Sequence, residues 1–230
     1  MKTVLITGAT GDIGEATAKY FHDNGYYVYL HYRSQKEKAQ KLCEILENSE
    51  IIGFDITDRQ AVSQKLENLD IDVLVNNAGM TKDNLFFFMS DEEWESVIDT
   101  SVNGTFFVTK TVMHNMISKK KGSVVNVASI SGITGNAGQT NYSAAKGAMI
   151  AFTKALALEV GRYKIRVNAV APGVIASELT DALDLKALKK DIPLKRVGKP
   201  DEVAECIFFL ADKASYVTGE VLNISGGFIR

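Results

Sequence analysis

Tyr142 and Lys146 stand four residues apart, so a helix would carry both on one face. A lysine ammonium beside a phenol favours phenolate, which lowers the phenol pKa and makes it a usable acid near neutral pH. The spacing alone is weak, because Tyr32 and Lys36 share it without comparable surroundings. Ser129 supplies the surroundings. It ends a predicted strand, where open α/β sheets place their ligand sites. It lies 13 residues before Tyr142, with the glycine-rich stretch 131–138 between them. A phenol, an amine and a hydroxyl grouped in this way are suited to acid–base chemistry.

A second constellation opens the chain. Gly8, Thr10, Gly11, Asp12, Ile13 and Gly14 follow a short apolar run and lead into a helical pattern. Glycines there let the backbone approach a pyrophosphate, and a helix N-terminus supplies N–H groups and the positive end of a dipole. Tight strand–helix turns also use glycine for structural reasons alone. The position after the first strand favours a dinucleotide. An NAD site places an acid at the end of the second strand, whereas NADP needs a cation there. The segment Leu30-His31-Tyr32-Arg33-Ser34 has no acid, and Arg33 is placed to pair with a 2′-phosphate, so NADP(H) is the expected cofactor. Asp55 either accepts from the adenine amino group or opens an Asx turn into the next helix.

The elements that must position these residues alternate along the chain. Strands are predicted at 3–7, 27–32, 51–54, 73–75, 123–127, 166–170 and 220–224. Helices are predicted at 13–24, 36–47, 59–68, 91–118, 141–161 and 201–211. Several strands are apolar throughout, as when helices cover both faces. The alternation implies a doubly wound parallel sheet of seven strands, α/β of the Rossmann type, with right-handed crossovers. One domain spanning residues 1–230 is expected, with a substrate lid around 175–193.

Bulk properties narrow the function classes. The 230 residues are 46% hydrophobic and 23% charged, an ordinary globular balance. The formal net charge of -2 gives no electrostatic case for nucleic acid or an anionic membrane. Cys43 and Cys206 make no metal or redox spacing, and His22, His31 and His114 form no constellation, so no metal site is expected. The opening apolar run is too short for a signal peptide or a membrane span, and a cytoplasmic protein is the expectation. The run Phe86-Phe87-Phe88-Met89 reads as core or interface.

With these residues in place, the chain resembles the short-chain dehydrogenase/reductase family over its whole length, in particular the bacterial 3-oxoacyl-acyl-carrier-protein reductases. The resemblance rests on the glycine motif, Asn76-Asn77-Ala78-Gly79, Ser129, Tyr142-Ser143-Ala144-Ala145-Lys146, Asn168 and Pro172-Gly173. It rests further on Thr81-Lys82-Asp83-Asn84-Leu85, Asp91-Glu92-Glu93-Trp94, the stretch 135–139 and the ending 218–227. It implies NADPH-dependent reduction of a 3-oxoacyl thioester. Tyr142 would protonate the carbonyl oxygen, Ser129 would bond it, and Lys146 would hold the nicotinamide ribose. The cofactor would be lined by the glycine motif, Arg33, Ser34, Asp55, Ile56, Asn77, Ala78, Gly79, Pro172, Gly173 and Ile175. A homotetramer is implied, with acyl carrier protein as substrate carrier.

Two departures stand out. Asp12 occupies a position where the family has glycine; an acid there would repel a pyrophosphate if it pointed inward, so it is expected to face solvent. Ser101 occupies the place of the family's catalytic asparagine, leaving a serine hydroxyl to hold the relay water; Asn103 reads as a surface residue. Lys119-Lys120-Lys121 and Arg162-Tyr163-Lys164 would supply a basic patch at the active-site mouth for an acidic carrier, or simply be solvated surface. A short-chain dehydrogenase acting on a sugar or polyol, and a cofactor-binding regulator without turnover, are the alternatives.

Overall fold

The computed structural model describes residues 1–177 and 190–228. Seven strands run parallel: β1 (Thr3–Ile6), β2 (Tyr27–Tyr32), β3 (Ser49–Gly53), β4 (Val73–Asn76), β5 (Gly122–Val127), β6 (Ile165–Pro172) and β7 (Val221–Ile224). Their spatial order is β3-β2-β1-β4-β5-β6-β7. The order reverses between β1 and β4, which opens a crevice at the C-terminal edge of the sheet between them. All seven strands expected from the sequence are present.

Among the described residues, eight α-helices accompany the sheet: α1 (Asp12–Asp23), α2 (Lys36–Ile45), α3 (Arg59–Leu66), α4 (Asp91–Ile98), α5 (Thr105–Lys119), α6 (Ser131–Thr134), α7 (Thr140–Val160) and α8 (Pro200–Phe208). Strand alternation divides the core. Val4, Ile6, Val73, Val75, Val125 and Val127 pack towards Ala18 and Phe21 of α1 and Val203 and Ile207 of α8. Leu5, Leu74, Val124 and Val167 pack on the other face with Leu66, Val112, Met116 and Val160. Each fully buried Leu or Val of these layers contributes on the order of 1.5–3 kcal/mol by leaving water. Local signals set the helix starts. Asp58 accepts from the backbone N–H groups of Gln60 and Ala61 at 2.9 and 3.1 Å, and Ser90 with Glu93 forms a capping box.

The helix expected at 91–118 is present, running from 91 to 119, but it is not α-helical throughout. A π-helical turn, Asp99–Gly104, separates α4 from α5. Helical periodicity runs through such a turn almost unchanged, which hides it in the sequence, and π turns gather at functional sites. Of the lid expected at 175–193, residues 178–189 lie outside the described residues. Its ends are anchored: Ile175 bridges to Gly198, and Ile175 and Ile192 are buried.

The Phe86–Phe88 run is not core. It forms an exposed 3₁₀ turn, with Phe87 93% exposed in the single chain.

Candidate active site

The glycine turn leaves β1 at the crevice. Gly8 has φ +64°, and a Cβ on Gly14 would stand 2.2 Å from the Gly8 carbonyl oxygen, so packing demands glycine there. Gly11 differs. Its φ is −81° and an added Cβ meets nothing closer than 3.6 Å, so the protein itself does not require this glycine. Gly11 is the N-cap of α1 and gives its first turn no side-chain cap. Backbone N–H groups uncapped at a helix start beside an open glycine fit a pyrophosphate. Thr10 is buried, and Ile13 leans on the core beneath the turn.

Asp12 does not simply face solvent as expected. It is half-buried and lines a small cleft with Glu15, Ala16, Lys19, Pro200 and Asp201, where α1 meets the start of α8. Arg33 is exposed and lines a larger cleft, of about 550 Å³, with Thr57, Met80, Lys82 and Thr100. Ser34 beside it is exposed. Asp55 makes the Asx turn: its Oδ1 accepts from Thr57 N–H at 2.9 Å and from the Thr57 hydroxyl at 2.8 Å. Ile56 is buried under Gly104 of the π turn.

Asn77 is a brace for the turn. Its Nδ2 donates to the carbonyls of Thr7 and Gly8 at 3.1 and 3.0 Å. The Thr7 hydroxyl in turn accepts from the amides of Asn77 and Ala78. Thr7 was invisible as a site residue because a threonine ending a β-strand carries no distinguishing pattern. His31 also takes part, contrary to the expectation of an uninvolved histidine. It is 2% exposed, accepts from Gly8 N–H through Nδ1 at 3.0 Å, and bonds the Phe54 carbonyl through Nε2 at 3.0 Å.

Ser129 and Tyr142 meet at the end of β5. The Ser129 hydroxyl lies close enough to the Tyr142 phenol to favour its ionised form, and Ser129 Oγ accepts from Ser131 N–H at 3.2 Å. Gly132 permits the close approach, since a Cβ there would stand 2.5 Å from the Lys146 carbonyl carbon. Ile130 N–H donates to the Pro172 carbonyl, and Gly173 N–H to that of Ile224, bringing the β6 exit alongside. Asn141 is fully buried; its Nδ2 reaches the carbonyls of Lys82 and Glu93 at 2.9 and 3.0 Å. Gln139 donates to Asp83 at 2.7 Å, joining the same two segments.

Lys146 is 3% exposed, and its Nζ donates to the Val127 carbonyl at 2.7 Å. Burial lowers its pKa to about 8. The expectation that the lysine lowers the tyrosine pKa is corrected. Burial raises the Tyr142 pKa; the Ser129 hydroxyl opposes this only in part, and the Asp83 charge adds to it. The lysine, bonded to Val127, lies 5.5 Å from the ring centroid.

A Cβ built on Gly79 would have Lys146 Nζ at 3.4 Å and Ser101 Oγ at 3.8 Å, so the two groups flank one space. Ser101 is fully buried in the π turn, and its hydroxyl has no partner among the described residues. Asn103 is exposed and bonds Asp99, as a surface residue would.

The basic runs lie elsewhere. Lys119–Lys121 precede β5 and Arg162–Lys164 precede β6, whereas Ser129 follows the opposite end of β5. Six residues of strand separate the two ends by about 20 Å. Neither run lines the mouth of its own chain's site. Charge runs show in a sequence, but which end of a strand they flank matters only once the strand direction is fixed.

The family described as enoyl-(acyl carrier protein) reductase matches residues 8–229. The chain belongs to the short-chain dehydrogenase/reductase family. Within that family it is 44% identical to a 3-oxoacyl-acyl-carrier-protein reductase of Thermotoga maritima, over 99% of this chain and 98% of the relative. It is 40% identical to one of Staphylococcus epidermidis, over 98% of each chain. It is also 41% identical to nodulation protein G of a Rhizobium strain, over 98% of this chain and 96% of the relative. As a member of the family, the chain is an oxidoreductase. Among the described residues there is no helix long and apolar enough to cross a membrane, and no group of metal-binding side chains.

Proposed function

We propose that the chain reduces a 3-oxoacyl thioester, presented on acyl carrier protein, to the 3-hydroxyacyl product with NADPH. The observation that carries this reading is the Ser129–Tyr142 hydroxyl pair, with Lys146 buried behind it, at the C-terminal edge of the sheet. Relatives named for this reaction at 40–44% identity support it.

NADPH would supply the hydride. The backbone of Gly8, Thr10, Gly11, Asp12, Ile13 and Gly14 would hold its pyrophosphate, Arg33 and Ser34 its 2′-phosphate and Asp55 its adenine, while Ile56, Asn77, Ala78 and Gly79 would line the cofactor. Pro172, Gly173 and Ile175 would flank the nicotinamide. Ser129 would donate a hydrogen bond to the substrate carbonyl oxygen and so orient it. Tyr142, kept protonated by its raised pKa, would deliver the proton to that oxygen. Lys146 would hold the nicotinamide ribose. Ser101 would hold a water beside Lys146, through which the proton is replaced.

The catalytic domain would span residues 1–230, with a lid around 175–193, in a cytoplasmic homotetramer. A substrate panel tests the reading. Carrier-bound, coenzyme-A-bound and free 3-oxoacids are compared with sugars and polyols, with NADPH oxidation as the readout. The expected order places the carrier-bound thioester first in kcat/KM. Higher kcat/KM on a sugar or polyol overturns the substrate; no turnover on any overturns the enzyme.

A further inference from the structure

His31 is a buried ionisable group that the proton chemistry does not use, yet from β2 it joins the ends of β1 and β3 at the proposed dinucleotide site. Two consecutive amides of the glycine turn end on this residue. Gly8 N–H donates to its Nδ1 at 3.0 Å, and Ala9 N–H donates to its backbone carbonyl at 2.9 Å. On the far side of the ring, Nε2 meets the Phe54 carbonyl at 3.0 Å, one residue before Asp55. The ring packs on the Phe54 side chain with centroids 4.2 Å apart.

Chemistry assigns the tautomer. A carbonyl only accepts, so Nε2 carries the hydrogen; an amide only donates, so Nδ1 offers its lone pair. Burial keeps the ring neutral, lowering its pKa to about 4 against the opposing charge of Asp55.

Gly8 is where a displacement would matter. Its carbonyl accepts from Gly11 N–H at 3.2 Å and from Asn77 at 3.0 Å, and it lies directly under Gly14. Gly8 N–H belongs to the Thr7–Gly8 peptide and the Gly8 carbonyl to the Gly8–Ala9 peptide, so His31 fixes both peptide units that lead into the amides at the start of α1.

We propose that His31 is a positioning residue for the cofactor, locking the glycine turn through Nδ1 and the β3 exit through Nε2 so that both halves of the dinucleotide site are set before binding. The proposal rests on the cofactor reading above. The Nδ1 contact carries the larger share, because it acts on the turn that faces the pyrophosphate.

Three substitutions in the full chain separate the contacts. Asparagine places its amide oxygen near Nδ1, glutamine places its amide group near Nε2, and phenylalanine keeps the ring without either bond. His31→Phe and His31→Gln, which both lack the acceptor at Nδ1, should weaken NADP⁺ binding about tenfold, the order of one buried hydrogen bond on the turn that faces the pyrophosphate. His31→Asn should stay within about threefold of wild type on the same basis. At saturating cofactor, kcat should be unchanged in all three, so the effect is read in the cofactor KM. In the cofactor-free protein, hydrogen exchange at the Gly8 amide should be faster in the Phe and Gln variants than in the Asn variant.

Binding by the folded Phe and Gln variants equal to wild type overturns the proposal and leaves the cofactor reading intact. Equal weakening in all three also overturns it, since ring packing rather than Nδ1 would then be responsible. Should His31→Phe fail to fold, the Asn and Gln variants decide alone. A wild-type chain that binds no dinucleotide overturns the cofactor reading and this proposal together.

Discussion

Lys146 reaches past the ring of Tyr142, its Nζ 5.5 Å from the ring centroid, and donates to the carbonyl of Val127 at 2.7 Å. The ammonium therefore has a backbone partner of its own, and burial dominates the titration of both side chains. A protonated phenol is the form an acid needs before reduction.

Tyr142→Phe removes the transferable proton and little else. Losing a positioned general acid costs about 10²–10⁴-fold in rate. Turnover should fall by that factor while the dissociation constant for NADPH, measured by fluorescence titration, moves less than about threefold on the same argument. A variant with near wild-type turnover would remove Tyr142 from its role.

Lys146 also makes stability depend on pH. Its pKa is 10.5 as an ordinary lysine and about 8 in the fold. Below about 8 both folded and unfolded chains are protonated, and folding must bury the charge. Between the two values the unfolded chain binds the extra proton, so this group's contribution to stability rises with pH through that window. Lys146→Met should therefore raise the unfolding free energy near neutral pH, by on the order of 3 kcal/mol. The gain should shrink as pH approaches the ordinary lysine value. Urea denaturation across the window gives the sign; a gain that grows with pH would contradict the assignment.

Arg33 lines the 550 Å³ cleft beside Thr57 and Thr100. Arg33→Ala should weaken NADPH by tenfold or more, the order expected for a charge-assisted hydrogen bond worth about 1.5–3 kcal/mol, and should barely change NADH. Titrating both cofactors against both proteins checks it. A wild-type chain that uses NADH as well as NADPH would refute the preference.

Ser101 buries a hydroxyl that has no partner among the described residues. An unpaired buried polar group costs about 1–3 kcal/mol, so Ser101→Ala should leave the melting temperature unchanged or higher. Turnover should nevertheless fall if the hydroxyl holds the relay water. Ser101→Asn should keep turnover similar or raise it modestly. Loss of activity in a folded Ser101→Asn protein would displace Ser101 from the relay.

Gly11 and Gly14 should separate folding from binding. Gly14→Ala drives a Cβ against the Gly8 carbonyl and should destabilise the chain, whereas Gly11→Ala has room and should melt as wild type does. Gly11→Ala should still weaken NADPH, because only a ligand needs that space. Unchanged NADPH affinity in Gly11→Ala would show that the turn has slack for the pyrophosphate.

The fold was legible where periodicity is strong. Apolar runs such as Val73–Asn76, buried on both faces, and amphipathic stretches between them identify strands and helices, and their alternation leaves few topologies. The Asp99–Gly104 π turn was not legible, since one extra residue in a helical turn barely disturbs the pattern. Nor was the exposure of Phe86–Phe88, because hydrophobic residues at a surface read as core until the neighbours are known.

By itself the sequence determined which chemical groups exist and which lie close through local geometry. Tyr142 and Lys146 share a helix, and Gly8 to Gly14 share a turn, because spacing along a regular element is spacing in space. Only the tertiary structure decided what each group faces. It placed His31 between Gly8 and Phe54, set Ser101 and Lys146 around Gly79, and put Lys119–Lys121 at the far end of β5 from Ser129. These relations depend on packing between residues distant in the chain, and burial then sets the charge states of Lys146 and His31.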